Sequence, residues 1–229
     1  MNDDSTDSRW FTGATHGDIS VDFTALEEAT LASILAYARD PVNQDNELMH
    51  CVDSAGTRVI DTSTGQRQAV LTDTMRSAAK TEPVRFWHNH PSQDSLSHLD
   101  WTMAATSDLV EVLALNESAS IFVGRMLQWR DEFALLLRQF PMIAGHLHFQ
   151  MSSFAKAAGM DLANEIAFSR RTGHVLNLAM SHCNVVHYAY RLSKADATIM
   201  QVAEKLGVVA RGLNFAVGEI NRVLIDPSR

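Results

Sequence analysis

Residues 84–101, VRFWHNHPSQDSLSHLDW, constrain the chain more than any other stretch. The segment opens on β-branched and aromatic residues, which favour a strand, and in a strand residues two apart share a face. His88 and His90 therefore project together, in line with Val84 and Phe86, while Arg85, Trp87 and Asn89 face the other way. Pro91 lacks an N–H and ends the ladder. Ser97 is a good helix N-cap, and Asp100 falls at the third helical position, on the first turn of the helix that follows. That turn lies close to the strand end carrying the two imidazoles. Two such histidines suit one shared cation, each giving a nitrogen to Zn²⁺ at ~2.0–2.1 Å. Two histidines and a carboxylate leave a fourth tetrahedral position open, the pattern of a catalytic rather than a structural zinc.

A water activated at such a centre benefits from a general base. The upstream strand-like segment ELMHCVD begins with Glu47, and its carboxylate reaches the site if this strand pairs beside the histidine strand. Glu82 is the other nearby carboxylate, but it precedes Pro83 at the base of the histidine strand, away from the ligand end.

Around this segment the chain alternates helix and strand signals. Residues 1–20 read as a flexible lead-in. Thr24 and Glu27 form a capping box ahead of a helix that stops before Pro41. ELMHCVD and TRVIDT flank SAG as two strands joined by a turn. LTDTMRSAAK reads as a short helix capped by Thr72 or Asp73. Residues 97–116 read as one helix, and ASIFVG with RMLQWRDEF as a pair of strands turning near Gly124. Beyond about Pro141 helical spacing runs nearly throughout. The expected fold class is therefore α/β (α+β): a mixed α/β domain over 21–140, then an all-helical C-terminal extension over 141–229.

Glu, then His-x-His-Pro, then Ser-x-x-Asp, in that order of elements, resembles the signature of the JAMM (MPN+/JAB) metalloproteases, and HNHPS is similar to bacterial members including the RadC family. The resemblance covers roughly residues 24–135. It implies a cytidine-deaminase-like mixed sheet flanked by helices, with Zn²⁺ held by His88, His90 and Asp100. It further implies Glu47 as acid/base, Ser97 as oxyanion support, and cleavage of a peptide or isopeptide bond, often in a ubiquitin-like protein substrate. The loop between His90 and Asp100 is one residue shorter than is usual in the family. The shortening falls in PSQDSL and leaves Ser97-x-x-Asp100 intact, with His98 as the alternative third ligand. Two other readings stand beside the hydrolase: an inactive JAMM-fold scaffold, and a RadC-like protein associated with DNA.

Composition narrows the partners. The formal net charge of −8 argues against a phosphate-tracking nucleic-acid surface. The start, MNDDSTDSRW, has neither the basic nor the apolar region of a signal peptide. No apolar run is long enough for a membrane span. Cys51 and Cys183, the two cysteines, do not make a disulfide framework, so a reduced cytoplasmic setting is expected. The tail is expected to meet a partner or a second copy of the chain. Its GHLHF repeats the His-x-His spacing on a helix, where residues two apart diverge. His182 reads as a core histidine and Cys183 as a small buried hydrophobe. The pair of segments around Gly207 reads as packed helices rather than a DNA-binding helix-turn-helix.

Overall fold

The computed structural model describes residues 12–14, 19–91, 94–107, 109–127 and 131–225. Seven strands form one mixed sheet in the order β1-β7-β6-β5-β4-β2-β3. They are β1 (Thr12–Ala14), β2 (Asn46–Asp53), β3 (Val59–Gln66), β4 (Val84–His90), β5 (Glu111–Asn116), β6 (Ile121–Met126) and β7 (Val186–Arg191). Helix α1 (Ala25–Arg39) covers one face of the sheet, burying Leu31 and Ile34 with Trp87, Leu113 and Val123. Packed with the opposite face are α2 (Asp73–Thr81) and α3 (His98–Thr106), together with α4 (Asp131–Ala157), α6 (Thr172–His182), α7 (Lys194–Lys205) and α8 (Val208–Ile225). The short α5 (Leu162–Ser169) connects α4 to α6. The architecture is a mixed α/β sheet with a mainly helical C-terminal region.

Local chemistry explains most of these elements. Thr24 and Glu27 cap α1 reciprocally, with Glu27 accepting from the Thr24 N–H at 2.8 Å. Thr72 caps α2 by accepting from the Met75 N–H. In β4, alternation sends Phe86 into the core beside α2 and α3 and Trp87 into the core under α1. Both faces of the strand are covered, so its burial is nearly continuous.

Two segments of the first 140 residues differ from their sequence reading. Residues 97–116 are not one helix: α3 ends at Thr106 and EVLALN forms β5, parallel to β4. A strand buried on both faces has no polar alternation, and its Leu and Ala content imitates a helix. The second difference concerns Gly124, which lies inside β6 rather than at a turn. Of the expected second strand of that pair, residues 128–130 lie outside the described residues, and α4 has begun by Asp131.

Gly124 is required by packing. A Cβ there would stand 2.3 Å from Trp101 Cη2 and 2.6 Å from Leu96 Cδ1. Gly124→Ala is therefore expected to destabilise the fold by about 1–3 kcal/mol through overpacking. A urea midpoint matching wild type would show that Trp101 does not rest on this strand.

The C-terminal region contributes more than helices, because β7 enters the sheet between β1 and β6. Position 140 lies within the continuous α4. Of the lead-in, residues 1–11 and 15–18 lie outside the described residues, while β1 pairs with β7 and Ile19 is buried. The segments around Gly207 are α7 and α8, and α8 buries Val208, Gly212, Ala216 and Ile220 as a packed helix. No described helix is long and apolar enough to cross a membrane.

Candidate metal centre

β4, α3 and β5 form a strand–helix–parallel strand unit, which brings the N-terminus of α3 back to the carboxyl end of β4. His88 and His90 stand at that strand end, and Asp100 on the first turn of α3. The two Nε2 atoms are 3.0 Å apart. Asp100 places Oδ1 3.0 Å from His88 Nε2 and Oδ2 3.1 Å from His90 Nε2. All three residues are buried, and they are the one group of this kind among the described residues with donor atoms within 4.8 Å of one another.

This donor set fits a small divalent cation. Tetrahedral coordination at zinc–ligand distances of 2.0–2.1 Å separates neighbouring donors by roughly 3.3–3.4 Å, and the imidazole–imidazole and imidazole–carboxylate separations of 3.0–3.1 Å are close to that. Each ring turns Nε2 toward the common point, while its Nδ1 is buried without a hydrogen-bond partner among the described residues. The triad can hold a metal ion.

Asp100 is positioned before any cation arrives. Ser97 Oγ accepts from the Asp100 N–H at 3.4 Å, and Asp100 Oδ2 accepts from the Ser97 N–H at 2.6 Å, completing a capping box. The capped turn brings Asp100, not His98, to the histidines. The His98 ring lies 6.3 Å from that of Phe140 and outside the triad.

Glu47 reaches the same place from β2. Met49 pairs with His88 in the antiparallel β2–β4 ladder, and continuing that register sets Glu47 opposite His90. Beyond the ladder Asn89 joins the strands: its Oδ1 accepts from the Leu48 N–H at 2.7 Å, and its Nδ2 donates to the Asn46 carbonyl at 3.0 Å. The sequence signal for this role is a polar residue between two histidines in a strand of otherwise apolar and aromatic character. Glu82, by contrast, caps the end of α2 and pairs with Arg58 at 3.3 Å on the surface.

The electrostatics follow from burial and proximity. Burial raises the Glu47 carboxyl above its ordinary value; the nearby histidines oppose this rise and Asp100 adds to it. Burial alone would lower His90, but Asp100 and, further off, Glu47 outweigh it and hold the metal-free imidazole up at about 9. Asp100 stays well below the usual carboxylate range despite its burial, because both histidines face it.

Glu47, His90, Ser97 and Asp100 line a cleft of about 790 Å³ whose apolar walls include Val70 and Leu99. Val70 is 65% and Leu99 43% exposed, so apolar surface is available to a ligand beside the triad.

The histidines of the C-terminal region form no second centre among the described residues. His146 and His148 are exposed on α4, with His148 Nδ1 near the Ser169 carbonyl and Thr172 Oγ1. His182 is exposed at the end of α6, contrary to its reading as a core histidine. The buried one is His174, whose Nδ1 meets the Tyr188 hydroxyl at 2.8 Å. Burial and the Arg171 charge push His174 down to about 3. Cys183 is half-buried against the core.

No family model, curated protein or solved structure matched this chain.

Proposed function

We propose that the chain is a zinc-dependent metallopeptidase of the JAMM type that hydrolyses a peptide or isopeptide amide. The observation that carries this reading is the convergence of Glu47 with His90 and Asp100 on one cleft, the fully buried His88 completing the triad, from two neighbouring strands and a helix N-terminus. His88, His90 and Asp100 would hold the ion. When bound, the cation supplies Lewis-acid chemistry, lowering the pKa of water and polarising a carbonyl.

The chain's own groups do the rest. Glu47 takes a proton from the attacking water and delivers it to the amine nitrogen as the C–N bond breaks. Its raised pKa suits a carboxyl that must both accept and return a proton. Ser97 Oγ uses a lone pair to cap α3, which leaves its O–H to donate to the oxygen that gains charge when water adds to the carbonyl. Asp100 is held by its cap and keeps its negative charge, as a ligand must. The apolar walls suit an extended protein or peptide substrate, a ubiquitin-like tail among them.

A panel of internally quenched peptides and lysine-linked isopeptides tests the reading. Hydrolysis that stops on chelation and returns with added Zn²⁺ is the expected result. A zinc-loaded protein inert toward both bond types would point instead to the inactive scaffold.

A further inference from the structure

The loop and helix that carry Asp100 do not support themselves. Ser95, Leu96 and Trp101 flank the ligand on both sides, and each is tied to one residue of the C-terminal region, Asn177 on α6. The Asn177 Oδ1 accepts from Trp101 Nε1 at 2.8 Å, while its Nδ2 donates to Ser95 Oγ at 3.0 Å and to the Leu96 carbonyl at 2.9 Å. The Ser95 hydroxyl continues to the Tyr188 hydroxyl of β7 at 2.6 Å. Asn177 and Trp101 are fully buried and Ser95 is nearly so, so no solvent competes for these bonds. One turn earlier on α6, the Gly173 N–H donates to Asp94 Oδ2 at 3.1 Å, and a Cβ at 173 would meet Asp94 at 2.6 Å. α6 thus grips the segment between the second histidine and the aspartate at two levels.

We propose that Asn177 is a positioning residue for the metal centre. Its carboxamide ties the Ser95 hydroxyl and Leu96 carbonyl before Asp100 to the Trp101 indole after it, so cation affinity depends on a side chain that bonds to none of the three ligands. The carboxamide geometry is selective for this task. One acceptor meets the indole N–H on the helix side, and two donors meet a hydroxyl and a carbonyl on the loop side. An apolar residue of similar size would fill the space yet take this partner from the buried Trp101 N–H and Leu96 carbonyl, leave Ser95 tied to Tyr188 alone, and free the loop to shift. Because Asn177 lies in the C-terminal region, the metal centre requires that region as part of its frame. The inference rests on the triad binding a cation, and the test separates the two.

The experiment is a Co²⁺ titration of the full chain, read by its visible ligand-field spectrum, beside thermal unfolding of the metal-free protein. Asn177→Leu is expected to weaken Co²⁺ binding by about 10-fold or more, in the range found for partners outside the ligand shell, and to change the ligand-field bands. Ser95→Ala deletes two bonds, to Asn177 and to Tyr188, with little change in volume; it is expected to weaken binding several-fold and to remain folded at the temperature of the titration. A merely structural role would lower the melting temperature of Asn177→Leu while leaving Co²⁺ affinity and spectrum, measured far below melting, at wild-type values; that result overturns the proposal. If Asn177→Leu does not fold, unchanged affinity in Ser95→Ala overturns it. Wild-type protein that binds no Co²⁺ removes the metal reading itself, and this inference with it.

Discussion

Glu47→Gln is expected to lower turnover of a responsive amide substrate by about 10²–10⁴-fold, the usual range for loss of a general acid–base group, while cation content stays at the wild-type level. Glutamine preserves the size and polarity of a side chain that is 6% exposed and faces the Ala69 backbone N–H. It cannot take a proton from water. Position 47 is outside the triad, so ligand geometry survives. Parallel measurement of turnover and bound metal distinguishes the roles: loss of both would make Glu47 a ligand or a structural support, and retained turnover would remove it from the chemistry.

Asp100→Asn is expected to weaken Zn²⁺ binding by more than about 100-fold, beyond the 10–100-fold typical of residues outside the ligand shell. The metal-free protein should still fold. An amide oxygen still accepts from the Ser97 N–H, so α3 keeps much of its cap, and substitutions that spare a cap cost little of the ~1 kcal/mol a cap supplies. The substitution removes the charge that faces both imidazoles. It thereby separates the helix-capping role of Asp100 from its ligand role. Competition against a chromogenic chelator gives the affinity and circular dichroism the melting curve. Wild-type affinity in this variant would leave the two histidines as the whole site.

The parts legible in the sequence were those encoded over a few residues. Strand alternation put His88 and His90 on one side, and the Ser97–Asp100 capping box placed the carboxylate, because both follow from local backbone geometry. Glu47 needed one non-local step, the β2–β4 pairing, and the structure supplies it. β5 resembles a helix in sequence because burial on both faces removes the polar alternation that separates strand from helix. Gly124 looked like a turn residue because its reason for being glycine is the Trp101 ring, which arrives from α3. The grip of Asn177 on Ser95 and Trp101 had no local sign at all: it joins residues more than seventy positions apart, on elements whose packing is known only once the chain has folded.

The same distinction explains the histidines of the tail. His182 sat on a helical stripe with Leu178 and Ala179, yet α6 ends there and the ring is exposed. His174, one of the less conspicuous histidines in the sequence, is the one enclosed, between Phe122 and the tyrosines of β7. Periodicity identifies a helical face, but the helix end decides whether the last residue on that face reaches the core.

The most direct test of the metal centre is anomalous diffraction from crystals of the zinc-loaded protein, recorded on both sides of the zinc edge. The account predicts a peak bonded to His88 Nε2, His90 Nε2 and a carboxylate oxygen of Asp100, with Glu47 beside the open position. A zinc-loaded crystal with no anomalous peak at this triad would contradict it.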